Sequence, residues 1–403
     1  MQRSGYADLP LHYGRVPPWL AERMTKLGGA IVEAIVLEYG KSEVLKRLSD
    51  PLWFQALGCV LGMDWHSSGI TTSVMGALKR AVNPMSKALG IYICGGRGKH
   101  SRQTPFELLK VADQTGLNGE ALVKSSRLTA KIDNTAIQDG FQLYLHNFIL
   151  TDENEWAVVK QGLNNSNGMA RRYHWHSKHF QSFFESPHAG ITGENQGLIL
   201  NLTDHQAGAT RESILNISRE NPDKMIPEIR KIVMPRHHDV QISDVNLKRL
   251  GAVLMVAHEN PLQDFESLLL LNGVGPRAIQ SLTLVSEVIY GTPSRFSDPA
   301  RFSFAHGGKD GHPFPVPLKV YDETIATLKT AVEKAKIGEV DKQSAIQQLS
   351  TVARKVEDNF RPGNFFERVV SEEREASYKY GGMTVTGEAR PSEKKTGQQL
   401  RLF

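Results

Sequence analysis

The sequence has 403 residues, enough for two or three domains of ordinary size. Apolar residues make up 40% and charged residues 23%, a balance that excludes a mostly disordered or membrane-embedded chain. The 48 basic and 43 acidic residues leave a net charge of +5, which permits nucleic-acid binding without establishing it.

The cysteine content and the hydropathy predict where the protein works. Cys59 and Cys94 are too few for a disulfide framework or a four-cysteine zinc site. No apolar run reaches membrane-spanning length, and the first residues lack a signal-peptide pattern. We therefore expect a cytoplasmic protein with no membrane partner.

The region 1–90 is predicted to be helical. Pro17 and Pro18 open a helix whose apolar residues recur at helical spacing, and Gly40 can end it. Three further helices are predicted, at 43–48, 51–61 and 70–90. The polar segment 62–69 between the last two has the composition of a turn.

The region 91–240 is predicted to be a mixed α/β domain that holds the chemistry. Ile91–Cys94 has the composition of a short strand. Residues 141–150 and 155–161 are also strand-like, and Thr151–Asn154 between them favours a β-hairpin. A further strand is expected over Gly197–Leu202.

The region 241–360 is predicted to be a helical domain, which makes the whole chain α+β. Its helices are expected at 244–258, 262–271, 276–290, 321–337 and 341–358. Residues 371–403 form a polar tail with few aliphatic side chains, and we expect residues 371–398 to be disordered.

A glycine-rich turn within this helical region is similar to a helix-hairpin-helix motif. The run Leu270–Ile279 reads LLNGVGPRAI, with a helix predicted on each side. Glycines allow a tight turn, proline suits the first turn of the second helix, and the amides there can hold a DNA phosphate. The predicted DNA contacts are Gly273, Val274, Gly275 and Arg277. A simple packing joint between two helices is the alternative.

A basic loop follows the first predicted strand. Gly95–Arg102 lacks the glycine spacing of a phosphate-binding P-loop, and Lys99 is followed by His100 rather than Ser or Thr. We expect Lys99 and Arg102 to contact a nucleic-acid backbone. A solvated loop without a ligand is the alternative.

Histidine and acidic residues recur through the first 240 residues. Carboxylates and imidazoles bind divalent metal ions, and a metal can activate water against a phosphodiester. The predicted metal ligands are Asp64, His66, His174, His176, His188 and Asp204. The predicted catalytic residues are Asp64, His66 and His174, with Arg171 and Arg172 holding the phosphate. An ordinary structural role remains the alternative for each histidine.

Two weaker patterns suggest other chemistry. The span from Asp133 to Lys160 is similar to the aspartate-then-lysine layout of restriction-type nucleases, but Val158 replaces the usual acidic residue. Asp298 follows the glycine-rich turn about where base-excision glycosylases carry a catalytic aspartate, with Arg277 in place of the lysine of lyase-type members. Asp298 can equally be a helix N-cap.

The last residues, Gln399-Leu400-Arg401-Leu402-Phe403, resemble the pentapeptide by which bacterial replication and repair proteins bind the sliding clamp. Short segments lose conformational entropy on binding, so a few side chains must supply most of the energy. Leu400, Leu402 and Phe403 can fill an apolar groove while the Gln399 amide bonds at its rim.

Several longer strings resemble one prokaryotic family, the domain-of-unknown-function family numbered 763. They are Leu9–His12 with Pro18–Leu20, Leu48–Gly69, Gln138–Phe141, Ala170–Trp175 and Ser303–Gly311. The resemblance implies a bacterial or archaeal origin and assigns no catalytic residue.

The patterns together favour a DNA-binding, DNA-processing protein of replication-coupled repair. The leading hypothesis is a metal-dependent, structure-specific nuclease recruited to the sliding clamp, with a divalent metal ion of open identity as cofactor. The alternatives are a non-catalytic DNA-binding adaptor at the clamp and a DNA glycosylase using Asp298. Structured RNA is also open as the nucleic acid.

Overall fold

The computed structural model describes residues 16–63, 68–165, 168–179, 181–230, 247–292, 297–300 and 318–359, with two short strands at 383–384 and 387–388. It contains two compact units, residues 1–360 and 361–403. The regions 1–90, 91–240 and 241–360 therefore belong to one unit.

Helices form the start of the first unit, as the sequence predicts. They are α1 (Pro18–Tyr39), α2 (Lys41–Ser49), α3 (Pro51–Val60), α4 (Gly69–Val82) and α5 (Ser86–Leu89). Gly40 ends α1 with a φ of 84°, a left-handed conformation that favours glycine. The Asp50 side chain caps α3 by accepting hydrogen bonds from the amides of Leu52 and Trp53.

A five-stranded antiparallel sheet follows, with its strands in sequence order. The strands are β1 (Ile91–Arg97), β2 (Gln142–Thr151), β3 (Trp156–Asn164), β4 (Met169–His176) and β5 (His188–Thr192). The predicted strand at Ile91–Cys94 and the hairpin around Thr151–Asn154 are both confirmed. The strand predicted over Gly197–Leu202 is wrong, because only an isolated bridge joins Asn201 to Ile137.

The remaining helices come between and after the strands. They are α6 (Thr104–Thr115), α7 (Gly119–Lys131), α8 (Gly208–Arg219), α9 (Pro222–Arg230), α10 (Leu247–Glu259), α11 (Phe265–Leu270), α12 (Pro276–Tyr290), α13 (Leu318–Lys334) and α14 (Glu339–Asn359). A π-helical turn, Ile132–Ala136, extends α7. Such turns are rare and often lie at functional sites.

The sheet has helices on both faces. Side chains alternate along a strand, so each strand contributes to two separate cores. Ile93, Ile149 and Val159 pack with α1–α4, α13 and α14, and we call this side the α3 face. Phe148, Val158 and neighbouring side chains pack with α6–α8 and α10–α12, and we call this side the α7 face.

The second unit is described only at β6 (Met383–Thr384) and β7 (Gly387–Glu388), which pair antiparallel. The rest of the predicted disordered stretch and the clamp-like residues Gln399, Leu400, Leu402 and Phe403 lie outside the described residues.

Candidate functional site

The glycine-rich turn lies between two helices, α11 and α12. Gly273 has a φ of 86°, which an L-residue with a Cβ rarely adopts, whereas Gly275 has an ordinary extended φ of −144°. Val274 is buried and anchors the turn, while Gly273 and Arg277 are exposed. No side chain caps α12, so the turn presents an uncapped helix start beside exposed backbone.

The turn is held against the π-helical segment. Lys131 Nζ donates a hydrogen bond to the carbonyl of Val274, and Gln138 Nε2 donates to the carbonyl of Pro276 at 2.8 Å. Partial burial lowers the pKa of Lys131. The hairpin is therefore fixed to the sheet domain by its carbonyls, while the Val274 amide donates to the carbonyl of Leu271 within the turn at 3.3 Å.

The predicted basic loop forms a short helical turn over residues 98–103 at the end of β1. Lys99 and Arg102 are both exposed there. Arg97 lies over the Tyr144 ring at 5.5 Å. The end of β1 therefore places the Arg97 cation over the half-buried Tyr144 ring of β2, at a distance typical of cation–π contacts. The loop adds the exposed cations Lys99 and Arg102.

A buried ionic cluster lies on the α7 face. Asp133, in the π-helical turn, is 3.2 Å from Lys160 Nζ and 2.5 Å from His188 Nε2, and it accepts a hydrogen bond from the Trp175 indole. Burial alone would raise the pKa of Asp133, but Lys160, His188 and these hydrogen bonds lower it below its usual range. Burial lowers the pKa of Lys160.

A second ionic cluster lies on the same face and involves Arg171. This guanidinium bonds to Asp139 at 2.9 Å and makes a two-point contact with Asp298 at 3.0 and 2.5 Å. Tyr173 donates its hydroxyl to Asp139, whose pKa is raised by burial. Amides of Gln196 and Ala300 also donate to Asp298. Arg171 and Asp298 are therefore ion-pair partners of each other.

The α3 face carries Arg172, His174 and His176. Arg172 donates to Gln55 Oε1 at 2.6 Å, and His174 Nδ1 lies 2.9 Å from the carbonyl of Leu48. His176 Nε2 pairs with Glu155 at 2.9 Å. Burial lowers the pKa of both histidines, that of His174 to well below its usual range. His174 is therefore neutral, with Nδ1 protonated to donate to the carbonyl.

The predicted metal ligands do not come together among the described residues. His174 and His176 lie on the α3 face, whereas His188 lies on the α7 face with Asp133. Asp204 caps the short turn 205–207 elsewhere. The described parts of the chain contain no group of three or more His, Cys, Asp or Glu side chains that could hold a metal ion. Asp64 and His66 lie outside the described residues.

The two arginines that were predicted to hold the phosphate also lie on different faces of the sheet. They are neighbours on β4, so Arg171 points to the α7 face and Arg172 to the α3 face. Sequence reasoning did not single out Gln55, Tyr173 or Thr192 beside them. Strand periodicity would have separated alternate β4 residues, but it carries no information on which helix side chain meets each face.

The buried His146 should make the free energy of unfolding depend on pH. Burial lowers its pKa to about 3, and its Nε2 bonds to the Ser126 hydroxyl at 2.9 Å. The unfolded chain takes up this proton near pH 6.5 while the folded chain does not, so the free energy of unfolding should fall as pH drops from 6.5 toward 3. We expect His146→Gln to reduce that slope by up to about 1.4 kcal/mol per pH unit in urea titrations. An unchanged slope would contradict a buried neutral His146.

Comparison with known proteins gives one match. A family model described as "Protein of unknown function (DUF763)" matches residues 5–316. No curated protein and no solved structure matches the chain. In the described part of the chain, none of the helices combines the length and apolar character needed to cross a bilayer.

Proposed function

The chain belongs to this DUF763 family, and we propose from the geometry of its glycine-rich hairpin that it is a DNA-binding protein of DNA processing. The observation that carries the proposal is the hairpin of α11 and α12. Its carbonyls are bound to Lys131 and Gln138, and its exposed backbone faces outward at the start of an uncapped helix. Amides at such a helix start bind phosphate without reading sequence.

The charges around the molecule support the same ligand. Arg277 is exposed at the hairpin, and Lys99 and Arg102 are exposed in the basic loop. A backbone phosphate contacted by such cations releases counterions, which makes binding salt-dependent. The proposal includes recruitment to a bacterial sliding clamp through Gln399, Leu400, Leu402 and Phe403, on the strength of their sequence. Binding to the clamp would couple the processing of DNA to replication.

Gly275 offers a direct test of the hairpin. A Cβ added there meets no atom within 4 Å, and the backbone φ of −144° suits any residue. We expect Gly275→Ala to leave thermal unfolding unchanged but to weaken DNA binding roughly tenfold, because the new methyl group would obstruct a phosphate at the amides. Fluorescence anisotropy with a duplex in a salt titration measures both the affinity and the number of phosphate contacts.

Gly338 provides the matched control for this variant. It is an exposed loop glycine between α13 and α14, and a Cβ added there also meets nothing within 4 Å. Gly338→Ala should bind DNA as the unchanged protein does. Equal DNA affinity in the Gly275→Ala and Gly338→Ala variants would exclude the hairpin as a DNA contact.

The proposed chemistry is metal-dependent cleavage of the DNA backbone, with His174 as the described residue that supports it. Because His174 Nδ1 donates to the carbonyl of Leu48, its neutral ring leaves Nε2 with a free lone pair. That atom has no hydrogen-bond partner among the described residues. Unprotonated imidazole nitrogen is the form that binds metal ions. Asp64 and His66, which lie in the sequence between α3 and α4, are the proposed further ligands.

His174→Asn tests this chemistry with little disturbance of the fold. The shorter amide can still donate to the carbonyl of Leu48 but removes the Nε2 edge of the ring. We expect it, and Asp64→Asn, to abolish cleavage of flapped or nicked DNA and to lower the bound metal content. His188→Gln on the opposite face is the control. Full cleavage in the presence of a chelator would exclude a metal-dependent nuclease and leave the adaptor hypothesis.

A further inference from the structure

The start of α6 carries an exposed apolar patch directly after the basic loop. The buried residues of this helix are Thr104, Leu108 and Ala112, whose spacing of four marks the side that packs against the protein. On the solvent side, Phe106 is 69% exposed and Leu109 is 43% exposed. Residues three positions apart are neighbours on a helix, so these two side chains form one apolar surface in contact with water.

Exposed cations flank this apolar patch on both sides along the chain. Arg102 precedes Phe106 by four positions and Lys110 follows it by four, and both cations are exposed. Lys99 lies three positions before Arg102 in the short helical turn 98–103, where side chains at that spacing are nearly eclipsed. The turn leads directly into α6, so these cations line the same side as the Phe106 ring. We call this surface the α6 platform, and its residues are Lys99, Arg102, Phe106, Leu109 and Lys110.

The α6 platform is electropositive because the acidic residue within it is already paired. Between positions 95 and 112 the sequence has four lysine or arginine residues and one acidic residue, Glu107. The Glu107 carboxylate accepts hydrogen bonds from Lys79 Nζ and from the Gly95 amide, both at 2.7 Å. The next acidic residue along α6, Asp113, follows Phe106 by seven positions. The charge of the platform therefore suits an anionic ligand.

The cations stand on a backbone that local hydrogen bonds hold in shape. The Ser101 hydroxyl donates to the carbonyl of Gly98 at 2.6 Å, and the Thr104 hydroxyl donates to the carbonyl of Ser101 at 2.8 Å. Arg97, just before the turn, lies over the Tyr144 ring. A surface that is already ordered loses less conformational entropy when a ligand binds.

We propose that the α6 platform binds a single-stranded stretch of DNA, with one base stacked on the Phe106 ring and the backbone phosphates beside the cations. An unpaired strand offers an anionic backbone together with open base faces, which match the cations and the exposed ring. The base faces of a duplex are covered by their neighbours, so a duplex cannot use the ring. The inference rests on the DNA binding proposed above and adds to it the unpaired arm of a forked or flapped substrate.

Phe106→Leu tests the stacking, because it removes the ring and keeps an apolar side chain of similar bulk. We expect it to leave thermal unfolding and duplex affinity unchanged, and to weaken binding of an oligodeoxythymidine of about 16 nucleotides roughly tenfold. Fluorescence anisotropy with the labelled oligonucleotide and the full-length protein measures this affinity. Tyr39→Leu is the matched control, since Tyr39 is an exposed aromatic residue at the end of another helix, α1.

Two further variants examine the ring and the cations separately. Phe106→Trp keeps an aromatic face, so it should bind the oligonucleotide at least as tightly as the unchanged protein. Its indole should also lose fluorescence on titration, beyond any change in the unchanged protein, because a stacked base quenches it. Lys110→Gln should lower the slope of log affinity against log salt by about 0.7, the value for one phosphate contact on a single strand.

The outcomes distinguish this inference from the proposed duplex contact at the hairpin. Weaker oligonucleotide binding in Phe106→Leu but not in Tyr39→Leu, with quenching in Phe106→Trp, supports the platform. Equal oligonucleotide affinities of the two leucine variants, or the absence of extra quenching, would overturn it. A dimer in sedimentation that Phe106→Leu converts to monomer would identify a second copy of the chain as the occupant instead. Duplex binding without single-strand binding would contradict this inference alone, whereas loss of both would contradict the proposed function as well.

Discussion

Replacing Asp298 with Asn should lower the free energy of unfolding by about 3–5 kcal/mol, the usual effect of breaking a buried ion pair. Asp298 meets both terminal nitrogens of Arg171, and the side chains of both residues are fully buried. The neutral amide would leave Arg171 with Asp139 as its one remaining carboxylate partner among the described residues. Urea unfolding at neutral pH, followed by circular dichroism, measures the change.

Asp204→Asn is the control for this substitution. Asp204 caps the short turn 205–207, and Asn is an equally good cap, so we expect a change below about 0.5 kcal/mol. The same pair of variants addresses the glycosylase alternative. If Asp298→Asn unfolds like the unchanged protein yet loses base-excision activity, Asp298 is a catalytic residue rather than an ion-pair partner. That result would favour the glycosylase hypothesis over the nuclease hypothesis.

Local signals account for the parts of the fold that the sequence predicted. Pro18 and Gly40 bound α1, and the run Thr151–Asn154 forms the turn between β2 and β3. Pro276 and Gly291 bound α12, with Gly291 at a φ of 65°. Each of these features depends on the backbone preferences of one or two residues, so neighbouring residues are enough to reveal it.

The candidate site depends on contacts that no local pattern carries. Arg171 meets Asp298, which lies 127 positions further along the chain, and His174 meets the carbonyl of Leu48 across a separation of 126. The metal ligands predicted from residue type include both His174 and His188, although the two side chains lie on opposite faces of the sheet. The strand predicted at Gly197–Leu202 is wrong for a related reason, since its composition suits a strand but only an isolated bridge pairs it.

The sheet thus separates two kinds of buried charge that the sequence places on neighbouring residues. On the α7 face, Arg171 is matched by carboxylates, and the cluster has no free charge to offer a ligand. On the α3 face, Arg172 bonds to the neutral Gln55 and has no carboxylate partner among the described residues, and Nε2 of the neutral His174 has no hydrogen-bond partner among them. Chemistry on a phosphate is therefore expected on the α3 face, while substitutions on the α7 face should act through stability.

Deleting residues 399–403 should abolish binding to a bacterial sliding clamp while leaving the thermal unfolding and the intrinsic DNA affinity of the protein unchanged. In a clamp groove, Leu402 and Phe403 could each contribute roughly 1.5–3 kcal/mol before the cost of ordering the segment. Tethering by the preceding residues would also raise the effective concentration of the protein near DNA. Calorimetry with the purified clamp measures the loss.

A synthetic peptide of residues 390–403 should bind the clamp alone, because the contacts are expected to reside in these side chains. Phe403→Ala should remove most of the affinity of this peptide. Arg401→Ala is the matched control, since Arg401 occupies the unspecified position of the motif and its side chain should remain in solvent. Equal affinities of these two variants would show that the apolar side chains of the motif do not determine its binding to the clamp. Absence of binding at concentrations up to about 1 mM would mean that the clamp is not a partner, and the proposed processing would then lack its link to replication.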